Sequence, residues 1–87
     1  MSRFQKLFQK LLDGDSDASF AFDELRYVLS HLGFAEDIEG SHHIFTRDGV
    51  DELVNIQKPR GGKHAKAYQV RQVRRLIFKY RFSGGEK

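Results

Sequence analysis

The side chains best suited to chemistry sit together in Gly40-Ser41-His42-His43-Ile44-Phe45. Histidine takes and gives a proton near neutral pH, with an unperturbed pKa of about 6.5. His42 and His43 are adjacent, so on a β-strand they point to opposite faces. One of them can pack while the other meets solvent or a ligand. Gly40 permits a tight turn and close backbone approach just ahead of the strand, and Ser41 adds a hydroxyl. One alternation set holds His42, Ile44 and Thr46; the other holds His43, Phe45 and Arg47. Phe45 is the bulkiest apolar group, so its side is expected to face the core. That leaves His42 on the open face, with Ile44 partly exposed. The competing reading of such a histidine is a hydrogen-bonded structural residue.

Charge is the second signal. Residues 1–52 carry 5 Lys/Arg against 11 Asp/Glu, whereas residues 53–87 carry 10 Lys/Arg and a single acid, Glu86. The net charges of the two segments are −6 and +9, consistent with +3 for the whole chain. So basic a segment is a candidate surface for a polyanion, of which nucleic acid is the commonest, or else a solvated face with no partner. The 87 residues suit one domain with a small core. There is no cysteine, so neither a disulfide framework nor a thiolate metal site is available. No apolar run is long enough to span a membrane. Met1-Ser2-Arg3 leads into an amphipathic pattern without a signal-peptide core, which makes the cytoplasm the expected location.

The elements around the histidines follow from periodicity. Ser2 and Gln5 have capping-box spacing. Phe4, Leu7, Phe8, Leu11 and Leu12 then mark a helix over about residues 3–12, closed by Gly14. Asp13 to Glu24 is a near match to a calcium loop, with Asp13, Asp15, Asp17 and Glu24 in ligand positions. Its sixth position is Ala18, where the sharp turn needs glycine. The simpler expectation is a polar linker, with Ser19 or Phe22-Asp23-Glu24 supplying the next helix's cap and first-turn acids. Phe22, Leu25, Val28, Leu29 and Leu32 form that second helix, which Gly33 ends. Strands are expected at 35–39, with Ile38 inward, at about 42–47, and from Glu52 to Gln57. Arg47-Asp48-Gly49-Val50 is the hairpin turn between the last two. Pro59 blocks further pairing, and Arg60-Gly61-Gly62-Lys63 reads as a flexible basic loop. A last helix covers about 66–81, with Val70, Val73, Leu76, Ile77 and Tyr80 buried and a tail released from Ser83.

Gly40 through Phe45, following a helix that ends Leu32-Gly33-Phe34, resembles the HicA (YcfA-like) toxins of bacterial toxin–antitoxin modules. The resemblance covers about residues 22–82. It includes Phe22-Asp23-Glu24-Leu25, Asn55-Ile56-Gln57 and Ala67-Tyr68-Gln69-Val70-Arg71-Gln72-Val73. It implies an α+β, double-stranded-RNA-binding-domain-like α-β-β-β-α fold with a three-stranded antiparallel sheet, here with an extra N-terminal helix. It also implies an mRNA interferase whose catalytic residue is the histidine directly after Gly-Ser, His42, neutralised by a HicB-type antitoxin. Many members carry an Ile-Pro-x-His-type segment at the end of the third strand, before a Gly-Lys loop. Here His64 comes late, in a loop, and no role is carried onto it.

RNA supplies its own nucleophile, the 2′-hydroxyl. The enzyme must remove that proton, stabilise the charge growing on phosphorus, and protonate the leaving 5′-oxygen. His42 serves the first or the last of these steps. Ser41, Lys58, Arg60 and Lys63 are candidate RNA contacts beside it, with Arg71, Arg74 and Arg75 on the last helix as alternatives. The scheme requires no metal or other cofactor, and adjacent histidines on one strand are poorly placed to ligate one ion together. The rival readings are a non-catalytic RNA-binding module and a calcium-dependent interaction domain built on Asp13 to Glu24.

Overall fold

The structure, a computed structural model, describes residues 2–82. The chain runs α1 (Arg3–Asp13), a 3-10 turn (Asp17–Ser19), α2 (Phe22–His31), β1 (Ala35–Glu39), β2 (His42–Thr46), β3 (Val54–Gln57) and α3 (Ala67–Tyr80). It is an α+β protein: three helices and an open antiparallel sheet of order β1-β2-β3. Among the described residues no helix is long and apolar enough to cross a membrane. The expected tail from Ser83 lies outside the described residues.

Each helix begins and ends for a local reason. At α1 the Ser2 hydroxyl accepts from the Gln5 N–H, and the Ser2 N–H donates to Gln5 Oε1, both at 3.1 Å. At α2 the Glu24 carboxylate reaches back 3.1 Å to the Ala21 N–H. Ser19, one of the expected caps, instead donates to the Ser16 carbonyl. Beyond α2, Gly33 takes φ 92°. The Phe34 N–H then bonds the Leu29 carbonyl at 3.1 Å and the Gly33 N–H that of Ser30 at 3.0 Å, a Schellman close. Phe34, just past it, is buried. The apolar stripes of all three helices meet in one core with Phe45, Val54 and Ile56 from the sheet.

The register fixes the faces. His43 pairs with Ile38 and Ile56, and Phe45 with Glu36 and Val54, so these residues share the helix-covered side. The other side carries His42 between Glu39 and Gln57, and Ile44 between Asp37 and Asn55.

Three expectations are corrected. Ile38 faces the covered side but remains 54% exposed, because β1 is an edge strand that the helices do not reach across. The third strand begins at Val54, not Glu52. Asp51 donates its N–H to Tyr80 Oη at 3.1 Å, and the Glu52 carboxylate takes Lys79 and the Tyr80 hydroxyl. These bonds peel the segment off the sheet toward α3 and leave Leu53 53% exposed. The turn at Arg47–Val50 forms as expected, with Val50 N–H to Arg47 O at 3.1 Å, but inside a longer connection.

Candidate functional site

His42 owes its position to a two-residue turn. Glu39 and His42 are register partners, so only Gly40 and Ser41 join β1 to β2. Gly40 has φ 62° and Ser41 does not have positive φ, the pattern of a type II′ hairpin, which wants glycine first. A Cβ at Gly40 would meet nothing within 4 Å, so backbone conformation, rather than space, demands the glycine. The turn starts β2 at His42 with its side chain on the open face.

The two histidines then separate by environment. His42 is exposed, and its Nδ1 lies 3.3 Å from Asn55 Oδ1 on β3. His43 is only 5% exposed. Its Nδ1 meets Glu36 Oε2 at 2.5 Å, and its ring stands edge-on to Phe22 at 4.9 Å. Glu36 also accepts two bonds from Arg26, at 2.8 and 3.1 Å. The Arg26 hydrogen bonds, seconded by His43, hold the Glu36 carboxyl below its usual range against the opposing effect of burial. His43 is thus a structural histidine tying β1 to β2 and, through Arg26, to α2.

The basic loop is attached to this strand directly. Lys58 N–H donates to the Ser41 carbonyl at 2.8 Å, carrying the pairing one step past His42 and Gln57. Gln57 Nε2 also reaches Ser41 Oγ at 3.5 Å. At its far end the loop is anchored by Phe22 N–H to Lys63 O and Ala65 N–H to Phe20 O, both 2.8 Å. Between these anchors Lys58, Arg60 and Lys63 are exposed. The loop expected to be flexible is therefore pinned at both ends. His64 is exposed and pairs through its backbone with Ala21.

The structure divides the expected RNA contacts. Ser41 and Lys58 flank His42, and Arg60 and Lys63 continue from them. Arg74 is withdrawn: its guanidinium grips Asp17 at 2.8 and 2.9 Å and the Leu11 carbonyl at 3.1 Å. Arg71 and Arg75 are exposed on α3, within the helical layer that covers the opposite side of the sheet. None of the three is hydrogen-bonded to His42 among the described residues. Two of the four calcium-loop positions are likewise committed elsewhere: both Asp17 oxygens hold Arg74, and Glu24 Oε1 serves Ala21 N–H and Lys10.

Sequence reasoning missed two neighbours. Asn55 touches His42, and Glu39 lies directly across from it. Both are set by strand register, which no local pattern reports. The open face is consequently asymmetric, with Asp37 and Glu39 on the β1 side and amides followed by cations on the β3 side. A separate cleft of about 370 Å³ between α1, α2 and β1 includes Arg3, Arg26, Tyr27 and Glu36. Its charged groups are already engaged, Arg26 with Glu36 and Arg3 over the Tyr27 ring at 4.2 Å. No protein-family profile, curated protein or solved structure matches this chain.

Proposed function

We propose that this chain is a metal-independent endoribonuclease of the mRNA interferase kind, cleaving single-stranded RNA with His42 as its proton-transfer group. The observation that carries the reading is His42 itself. It is exposed on the open sheet face, held on one ring nitrogen by Asn55, and one residue from the turn to which the basic loop is bonded. The 2′-hydroxyl is the nucleophile, so the protein must supply only proton transfer and positive charge. Lys58, Arg60 and Lys63 provide that charge and the salt-sensitive attraction for the strand. Asp37 and Glu39 repel phosphates from the β1 side, so RNA runs along the β3 side. The order α2-β1-β2-β3-α3 supports a double-stranded-RNA-binding-domain-like arrangement with α1 as an addition. In this reading a HicB-type antitoxin protein covers the site.

The test is cleavage of a long single-stranded RNA at low salt by the wild type and His42→Ala, each with and without EDTA. Cleavage by the wild type alone, unchanged by EDTA, is expected. RNA retarded on a gel by both proteins but cut by neither would replace the enzyme with a binding module.

A further inference from the structure

We infer that Asn55 is a positioning residue that fixes His42 as the Nδ1–H tautomer, leaving Nε2 as the proton acceptor. The general-base role in RNA cleavage that follows rests on the ribonuclease reading; the tautomer does not. An amide oxygen only accepts hydrogen bonds. A hydrogen bond between this ring nitrogen and Asn55 Oδ1, 3.3 Å apart, therefore requires the proton on Nδ1. In neutral imidazole the other nitrogen then bears the lone pair. Nε2 lies across the ring from Nδ1 and so is not the nitrogen that Asn55 holds.

The backbone makes this contact dependable although both side chains are exposed. Gln57 pairs with His42 and Asn55 with Ile44. Asn55 is thus the diagonal neighbour of His42 on the open face, within reach of a long side chain. The bond also survives turnover. Imidazolium donates from both nitrogens, so Asn55 Oδ1 accepts from Nδ1–H before and after Nε2 takes a proton. The ring need not swing during the reaction, and misplacement by about 1 Å can cost on the order of 10²-fold in rate.

The step balances without a co-reactant other than water. Nε2 removes the 2′-hydroxyl proton as the 2′-oxygen bonds to phosphorus. The bond from phosphorus to the 5′-oxygen breaks, leaving a 2′,3′-cyclic phosphate. The departing 5′-oxygen takes a proton from water, and the resulting hydroxide recovers the one held on Nε2. His42 is the base of this reaction, which settles on the first of the two steps its sequence position left open.

The experiment has a spectroscopic and a kinetic arm. Long-range proton–nitrogen correlation NMR of the RNA-free, ¹⁵N-labelled protein should show a pyrrole-like Nδ1 and a pyridine-like Nε2 for His42. Asn55→Ala should shift the ring toward Nε2–H, the form free imidazole side chains prefer. Asn55→Asp, an acceptor only, should keep Nδ1–H. In cleavage assays the rate should rise with pH to a plateau. Asn55→Ala should lower kcat roughly 10- to 100-fold with little change in KM, and Asn55→Asp should restore most of it with the rising limb moved to higher pH. A wild-type His42 found as Nε2–H would overturn the assignment, as would cleavage that falls with rising pH. An Nδ1–H tautomer in a protein that cuts no RNA would uphold Asn55 as the positioning residue and discard the ribonuclease reading instead.

Discussion

Two neighbouring histidines with opposite surroundings give a direct test at the scale of single residues. His43 is buried, bonded to Glu36 and packed on Phe22. His43→Ala leaves a cavity beside Phe22 and removes a partner from a carboxylate already committed to Arg26. It should cost about 2–3 kcal/mol in urea unfolding. His42→Ala removes an exposed ring and should stay within about 0.5 kcal/mol of the wild type. Equal losses in both variants would mean the alternation of β2 has been read in the wrong phase. This part of the site was legible in the sequence, because strand period is two and Phe45 outweighs Ile44 as a core residue. Asn55 was not legible as a partner of His42. Its place is set by the β2–β3 register, and the bonds of Asp51 and Glu52 that help delimit β3 reach 29 and 28 residues along the chain to Tyr80.

Among the elements, α3 ends at an unusual residue. Arg81 adopts φ 57°, the left-handed conformation that glycine usually supplies at a helix end. It closes α3 through Phe82 N–H to Ile77 O at 3.1 Å. Its side chain is exposed, so Arg81→Gly relieves backbone strain without uncovering the core and should stabilise the protein by roughly 1 kcal/mol, read as a raised urea midpoint. A lowered midpoint would show that the Arg81 side chain contributes more than its conformation costs. The helix ends at Gly14 and Gly33 were readable in advance because capping is local. Ile38 and the start of the third strand were misread because burial and pairing depend on what lies above a strand, and no local pattern reports that α3 holds Glu52 or that the helices leave Ile38 uncovered. The same layering separates the cations. Lys58→Glu with Lys63→Glu should weaken binding to a single-stranded RNA oligomer severalfold and reduce its salt dependence. Arg71→Glu with Arg75→Glu should change it far less, since these side chains lie in the layer behind the sheet. An equal loss from the α3 pair would extend the RNA path around the molecule.

Over the whole molecule, the split between an acidic first segment and a basic second one does two jobs. Part of it faces outward in the basic loop, and part closes the fold. Arg74 on α3 holds Asp17 in the 3-10 turn and the carbonyl of Leu11 near the end of α1. One side chain thereby joins three segments, and its cation sits where a helix C-terminus favours positive charge. This clamp was hidden in the sequence, since its partners lie 57 and 63 residues away. It carries a pH signature. The Arg74 hydrogen bonds hold the Asp17 carboxyl below its ordinary range, outweighing the burial that would raise it, and Arg26 does the same for Glu36. A carboxyl whose pKa is lower folded than unfolded contributes stability that is fully present above the unfolded value. That stability is lost as pH falls through the folded value. Urea stability should therefore be flat on this account from neutrality down to the ordinary carboxylate range, then fall steeply below it. Asp17→Asn keeps the shape but loses the charge that Arg74 binds. It should cost about 2 kcal/mol at neutral pH and make the acid limb shallower, because one of the depressed carboxyls no longer titrates. If the variant loses stability at neutral pH but its acid limb keeps the wild-type slope, the folded state does not depress the Asp17 carboxyl and its charge is not what Arg74 holds. The ion pair would then have no part in holding the 3-10 turn to α3.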